Sequence, residues 1–290
     1  MKTRAWIEAM RLRTLPVSVA GVIAAVGFNI TDGTFRAVPA AICLIFAVLC
    51  QIASNFANEY FDYRAGRDKA GREGPRRGVT EGDISPRSML RATFAVLCLA
   101  AFAGLTLTYW GGAWLIAVGI AVALGALAYS AGPYPLSTHC LGEAGVLVFF
   151  GLVPVNFTYY VQALHWSAPV FLASLSIGLM GANVLIVNNY RDREDDTAVG
   201  KHTLATALPS GSMPLLYIAG SLVAVLLMAP SWLKLGAAWL TVPVVYLIIS
   251  CLIVFAMNRR EGRRLTPLLG MTSVAMSVYA LTFTIAACLD

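Results

Sequence analysis

Long apolar segments separated by short polar ones make up most of the sequence. A membrane-spanning helix needs roughly 20 mostly apolar residues, and nine segments of about that length can be placed along the 290-residue chain. The pattern therefore predicts an all-α integral membrane protein, a bundle of nine transmembrane helices. The predicted spans lie near residues 14–31, 38–60, 88–108, 112–129, 142–162, 167–188, 214–230, 232–256 and 267–288.

Composition and charge agree with this prediction. Hydrophobic residues make up 58% of the chain and charged residues 12%, whereas soluble domains contain about 45–50% and about 25%. The net charge is +6, and nine spans with a cytoplasmic N-terminus place all Lys and Arg residues except Arg36 and Lys234 on the cytoplasmic side. Cytoplasmic loops carry such an excess. The charge therefore indicates topology rather than a nucleic-acid partner, with the N-terminus in the cytoplasm and the C-terminus outside.

Two polar motifs follow apolar spans on the same predicted side of the membrane. The first, within residues 55–68, contains Asn58 and Asp62, and the second, residues 188–196, contains Asn188 and Asp192. Residues four apart lie on one face of a helix, so the members of each pair can act together. The motifs end the second and sixth spans, and their separation of 130 residues hints at a duplicated ancestor.

Further acidic residues extend both motifs. Asp68 lies six residues beyond Asp62, and Gly66 between them offers a bend that could bring it back. Asp195 fits the helical face of the second motif somewhat better than Asp196, but the spacing does not choose between them.

Clustered carboxylates at the end of a span predict a bound cation, because they repel one another and helix carbonyl ends add negative partial charge. Oxygen ligands without Cys or His favour Mg²⁺ or Ca²⁺, and Mg²⁺ typically takes one or two carboxylates together with substrate phosphate oxygens. Alternatively, the charges are solvated helix ends that follow the positive-inside rule. This alternative is weaker for the Asn–Asp pairs, since acidic residues contribute little to topology. Basic residues that could bind a polyphosphate are Arg64, Arg67, Lys69, Arg72, Arg76, Arg77, Arg191 and Lys201.

The predicted loop at residues 129–143 contains no basic residue. Its Gly-Pro and Pro residues predict a rigid turn, and Tyr129 and Tyr134 could present ring faces toward a cation. Glu143 is either a buried functional acid or a charge at a helix N-terminus.

These motifs together resemble the UbiA superfamily of intramembrane aromatic prenyltransferases, and within it the 1,4-dihydroxy-2-naphthoate polyprenyltransferases, the MenA type. Five stretches, which span about two-thirds of the chain, carry the resemblance: RLRTLPVSVAG, NFANEYFDYRAGRD, GPRRGVTEGDIS, GPYPLSTHCLGE and VNNYRDREDDTAVGKHTLA. The resemblance implies one UbiA-like domain, residues 1–290, in a bacterial inner membrane. Its central cavity would have a cytoplasmic mouth and a lateral opening to membrane lipid.

The resemblance also implies roles for individual residues. Glu59 departs from the family pattern, which usually has Asp there, so its part in metal binding stays open. Tyr129 or Tyr134 would shield an allylic cation. Mg²⁺ would join a polyprenyl diphosphate to Asn58, Asp62, Asp68, Asn188, Asp192 and Asp196. Contacts to the diphosphate or to the acceptor carboxylate would come from Arg13, Lys69, Arg72, Arg191 and Lys201.

The implied activity is Mg²⁺-dependent transfer of a polyprenyl group to 1,4-dihydroxy-2-naphthoate with loss of CO₂, which gives demethylmenaquinone. The nearest alternative is a UbiA-type enzyme with another aromatic acceptor, such as 4-hydroxybenzoate. A membrane transporter is the alternative from a different class. Transporter sites usually lie near mid-membrane on broken helices, whereas no predicted span carries Asp, Glu, Lys or Arg away from its ends.

Overall fold

The computed structural model describes residues 2–68 and 76–290, which fold into helices joined by short turns. Within these residues the only strand-like pairing is one bridge between His139 and His202, so the all-α prediction is confirmed for this part of the chain. The helices are α1 (Lys2–Met10), α2 (Leu15–Thr31), α3 (Ala37–Arg64), α4 (Pro86–Thr106), α5 (Thr108–Gly111), α6 (Leu115–Ala128), α7 (Gly142–Val146), α8 (Val153–Ala163), α9 (Ala168–Arg191), α10 (Arg193–Ala198), α11 (Leu204–Ala207), α12 (Ser212–Lys234), α13 (Thr241–Met257) and α14 (Thr266–Leu289).

The structure is that of a multi-pass membrane protein, but the count of nine spans is not confirmed. Each predicted segment is helical, yet seven helices of the described chain, counting α7–α8 as one, are long and apolar enough to cross a membrane alone. Helix α2 qualifies only together with α1, from which it is bent by 49°. Helix α6 has 14 residues, or about 21 Å at the rise of an α-helix, which is less than the ~30 Å of a bilayer's hydrocarbon core.

The predicted boundary between the seventh and eighth spans is wrong. Helix α12 continues through Pro230 to Lys234, and α13 begins only at Thr241. The chain turns at Gly236, whose φ of +119° lies in a region that favours glycine. Apart from Ser231 and Lys234, residues 230–240 are apolar or glycine, so average hydropathy does not mark this turn.

Each motif-bearing helix packs against the next long helix of the chain. Helix α3 lies along α4, and α9 lies along α12, the next long helix in each case. The duplicated ancestor stays a prediction. Helix α2 packs against α14 and α8, and the rings of Phe28 and Phe283 meet between α2 and α14 at 4.7 Å.

A π-helical stretch, Leu147–Leu152, separates α7 from α8. Pro154 lies just after it and lacks the N–H that would continue the α-helical hydrogen bonding. The stretch presses closely on α9: a Cβ atom on Gly151 would lie 2.4 Å from the Gly178 Cα atom and 2.4 Å from the Ser174 carbonyl oxygen. Small residues permit such close helix contacts in membranes. The same π-helical stretch contributes Phe149 and Phe150 to the wall of the cavity described below.

Candidate active site

The first motif lies at the end of α3, where Asn58 and Asp62 are buried on one face, as predicted. The Asn58 Nδ2 atom donates to Asp62 Oδ2 at 2.9 Å, and Asn58 Oδ1 accepts a hydrogen bond from Arg11. Asp62 Oδ1 lies 3.5 Å from the Arg67 guanidinium and accepts no hydrogen bond from any described residue. One buried carboxylate oxygen is therefore placed to accept a further ligand.

Asp68 lies beyond the end of this helix. Gly66 has a φ of +67°, so the predicted bend is confirmed at a residue that tolerates it. The Asp68 side chain is buried, and its Oδ2 atom lies 3.3 Å from the Nε atom of Arg77, on the segment before α4. The bend thus buries a third acidic group beside a second basic partner, and its role as a metal ligand stays a prediction.

The second motif lies at the end of α9 and in α10. The Arg191 guanidinium donates to both carboxylate oxygens of Asp192, at 2.6 and 2.9 Å, and to Asn188 Oδ1 at 3.0 Å. Asp196 is 3% exposed, and its Oδ1 accepts from Lys201 Nζ at 3.3 Å. Asp195 is only half-buried, so burial favours Asp196, the choice that the resemblance implied.

The loop between α6 and α7 connects the two motifs. At its start, the Ser130 hydroxyl accepts a hydrogen bond from Asn58 Nδ2 at 2.9 Å. At its end, Glu143 Oε1 accepts from Asn189 Nδ2 at 2.9 Å. The ends of α3 and α9 that carry the two motifs therefore both contact the segment 130–143, at the same end of the bundle.

Tyr129 and Tyr134 differ in position. Tyr129 directly precedes Ser130, which accepts a hydrogen bond from Asn58, and Tyr129 lines the cavity described next. Tyr134 is 61% exposed, stacks on His139 with ring centroids 3.6 Å apart and is absent from the cavity wall. The geometry favours Tyr129 as the residue that could shield a cation.

An apolar cavity extends from this polar end between α2, α3, α4, α6 and the α7–α8 segment. It contains about 1060 Å³ of space that protein atoms do not fill, counting the part open to the outside. Its wall runs along α6 from Leu115 to Tyr129, about 21 Å at the rise of a helix. Aliphatic and aromatic side chains such as Phe46 and Phe149 form most of the wall. The cavity can hold an apolar chain away from water.

Glu59 does not share the hydrogen bonds of its neighbours in the motif. It is 1% exposed, and its Oε1 atom accepts from the backbone N–H of Val79 at 3.0 Å, which fixes the segment before α4. The contact of Glu59 in this structure is therefore with the backbone of the segment before α4. Of the predicted basic contacts, Arg13 lies in a 3-10 turn with its side chain outside the described part, and Lys69 and Arg72 lie outside the described residues altogether.

The donor set fits a Mg²⁺ ion that arrives with an anionic ligand. Within residues 2–68 and 76–290, no group of three or more His, Cys, Asp or Glu side chains could hold a metal ion alone. Mg²⁺ is usually bound by one or two carboxylates plus phosphate oxygens rather than by an all-protein cage. Oxygen donors, including Asp62 Oδ1, suit this mode. Basic partners line the site: Arg11, Arg67, Arg77, Arg191 and Lys201.

Sequence reasoning missed two residues of this site. Arg11, counted only as a topology charge, has a φ of 52°, which is uncommon outside glycine, and donates to Asn58. The spacing of Arg11 from Arg13 does not indicate that Arg11 belongs to the site. Gln51 gave one, as a polar residue inside a predicted span and seven residues before Asn58, and it lines the cavity.

A helical membrane bundle whose acidic and basic groups surround one end of an apolar cavity has the features of an intramembrane enzyme acting on an apolar chain with an anionic head. The chain belongs to the UbiA prenyltransferase family, whose family model matches residues 15–274.

Several relatives cover most of the chain. The 1,4-dihydroxy-2-naphthoate octaprenyltransferase of Mycobacterium leprae is 36% identical over 95% of this chain and 93% of its own. The protein of the same name from Escherichia coli is 36% identical over 71% of this chain and 69% of its own. A solved UbiA homolog from Archaeoglobus fulgidus bound to DMAPP and Mg²⁺ has a TM-score of 0.69 at 16% identity, covering 97% of this chain and 99% of the other. That likeness shows the shared fold.

Proposed function

We propose that this protein transfers a polyprenyl group from a polyprenyl diphosphate to 1,4-dihydroxy-2-naphthoate, with Mg²⁺ required and with CO₂ and diphosphate released, to give demethylmenaquinol, the reduced form of demethylmenaquinone. The observation that carries the proposal is the meeting of two buried acidic motifs, through Ser130 and Glu143, at the polar end of an apolar cavity. The names of the relatives supply the acceptor, and the Mg²⁺ and DMAPP of the fold relative agree with the metal and donor class.

The two motifs and their basic partners would bind the diphosphate and its metal ion. When bound, Mg²⁺ neutralises part of the diphosphate charge, which makes the diphosphate a better leaving group. Arg191 and Lys201 already lie against Asp192 and Asp196, so they are positioned to bind phosphate oxygens beside these carboxylates. The residues proposed to hold the ion are Asn58, Asp62, Asp68, Asn188, Asp192 and Asp196. Arg13, Lys69 and Arg72 are proposed as further contacts to the diphosphate or the acceptor.

The cavity would control the reactive chain. Its apolar wall excludes water from the allylic carbon after the bond to the diphosphate breaks, and the Tyr129 ring at its polar end can stabilise positive charge there. The ring carbon that bears the acceptor carboxylate then forms the new bond. Loss of the carboxylate as CO₂ restores aromaticity. The rest of a long prenyl tail would leave the cavity sideways into lipid.

Turnover of the purified protein with a panel of aromatic acceptors, with and without Mg²⁺, tests the proposal. We expect prenylation of 1,4-dihydroxy-2-naphthoate and none after chelation of the metal. Faster turnover of 4-hydroxybenzoate would keep the enzyme class and change the acceptor. Absence of turnover with every acceptor, together with uptake of a phosphorylated solute into proteoliposomes, would favour a transporter instead. The cytoplasmic N-terminus, the outside C-terminus and the inner-membrane location are part of the same proposal.

A further inference from the structure

Gln51 is a buried polar residue on the cavity wall to which the chemistry above gives no role. It lies on α3 and is 9% exposed, and it lines the cavity together with Ser54 and Tyr129. It precedes Asn58 by seven residues, which is two helical turns and about 10 Å along the same face. A side-chain amide here faces space that is otherwise mostly apolar.

The hydrogen bonds around Gln51 fix which end of its amide faces outward. Thr14 Oγ1 donates to the carbonyl of Arg11 at 2.9 Å, so it can only accept from Gln51 Nε2, which lies 3.2 Å away. Asn55 Nδ2 donates to the carbonyl of Met10 at 2.9 Å, so its Oδ1 atom faces the same Gln51 Nε2 atom, at 3.4 Å. Both neighbours therefore present acceptors to the NH₂ group. This leaves Gln51 Oε1 as the outward atom.

Gln51 Oε1 accepts no hydrogen bond from any residue in the described part of the chain. A buried acceptor without a partner is costly, and a ligand that satisfies it must carry a hydrogen-bond donor. The ionised diphosphate and the acceptor's carboxylate offer only acceptors, and a prenyl tail offers neither donors nor acceptors. Among the proposed reactants, only the hydroxyl groups of the dihydroxynaphthoate are donors.

The two hydroxyl groups are not equivalent. The 1-hydroxyl is adjacent to the carboxylate and can bond to it within the molecule, whereas the 4-hydroxyl is on the far side of the ring and has no internal partner. We propose that Gln51 Oε1 accepts a hydrogen bond from the acceptor's 4-hydroxyl and so orients the ring, an assignment that rests on the proposed function. The opposite edge of the ring, with the carboxylate-bearing carbon, then faces the Asn58 end of the cavity, where the diphosphate binds.

The test compares two acceptors in the wild type and in Gln51→Met, which keeps the size of the side chain and removes its amide. The acceptors are 1,4-dihydroxy-2-naphthoate and 1-hydroxy-2-naphthoate. The latter lacks only the 4-hydroxyl, which is meta to the reacting carbon, and keeps the activating 1-hydroxyl. We expect the ratio of kcat/KM values, dihydroxy over monohydroxy, to fall about tenfold in Gln51→Met, as for the loss of one hydrogen bond. The donor KM should not change.

A matched variant separates recognition from a general effect on the cavity. Ser54→Ala also alters a polar side chain of the wall, and it should keep the wild-type ratio. Gln51→Leu provides a second replacement if Gln51→Met does not fold. The wild type also gives a test without any variant: if it uses both acceptors equally well, the assignment is overturned. Turnover with the same ratio in wild type and Gln51 variants would overturn the Gln51 assignment only. Failure of the wild type to prenylate either naphthoate would overturn the proposed function and the assignment with it.

Discussion

Replacing Asp62 with Asn changes the charge of the proposed metal site with almost no change of shape. An Asn side chain at this position can still accept the hydrogen bond that Asp62 Oδ2 receives from Asn58. The ion pair with Arg67 is lost, but its atoms are 3.5 Å apart and the Arg67 side chain is 25% exposed. The Asp62 side chain is only 5% exposed, but Arg67 keeps contact with water, so the variant leaves no fully buried unpaired charge, which is the case that costs about 3–5 kcal/mol. We therefore expect Asp62→Asn to insert and fold like the wild type, with a small change in thermal stability.

The effect on turnover should be much larger than the effect on folding. Removal of one preorganised group that stabilises transition-state charge typically lowers kcat by about 10²–10³, or about 2.7–4 kcal/mol. The measurement is kcat at saturating donor and acceptor over a series of Mg²⁺ concentrations, alongside thermal unfolding in detergent. Glu59→Gln is the matched control, because a glutamine can still accept from the Val79 N–H, and it should stay within a few-fold of the wild type. A folded Asp62→Asn protein with wild-type turnover, or an equal loss in Glu59→Gln, would refute the reasoning.

Three further changes test other parts of the account. Asp192→Asn should lower turnover about as much as Asp62→Asn. It should also lower the unfolding temperature, because it leaves the charge of the buried Arg191 guanidinium unbalanced. An unchanged unfolding temperature would contradict the ion pair between Arg191 and Asp192. Gly151→Ala should reduce the yield of folded protein because its Cβ would meet the backbone of α9 at 2.4 Å, whereas Gly270→Ala, with no atom within 4 Å, should fold normally. Reporter fusions at the two termini should report opposite sides of the membrane; finding both on one side would show an even number of spans.

The parts of the site that depend on local helix geometry could be predicted from the sequence. Four-residue spacing placed Asn58 and Asp62 on one face, and a glycine after the helix predicted the bend that buries Asp68. The choice between Asp195 and Asp196 could not be made from spacing, because it depends on the end of α9 at Arg191 and the restart of the helix two residues later.

Contacts between distant segments could not be predicted. Arg11 donates a hydrogen bond to Asn58, which is 47 residues away in the sequence. The pattern of residues within one segment does not indicate which distant segment that segment contacts. The span count failed for a different reason: hydropathy marks apolar residues but not where helices end. Helix α6 begins only after Gly112, whose φ is +90°, so it is shorter than its apolar segment. The turn at Gly236 lies in a mostly apolar segment, and its single charge, Lys234, does not interrupt the apolar pattern enough to mark the helix end.

The most direct measurement follows the acceptor's carboxyl carbon. Purified protein is given a polyprenyl diphosphate, Mg²⁺ and 1,4-dihydroxy-2-naphthoate that is labelled only in its carboxyl group, and both the released gas and the prenylated product are counted. Attack at the carboxylate-bearing carbon predicts one labelled CO₂ for each prenyl group transferred, an unlabelled product, and neither product after chelation. Label retained in the prenylated product would contradict the proposed reaction, because the new bond would then have formed at another ring carbon.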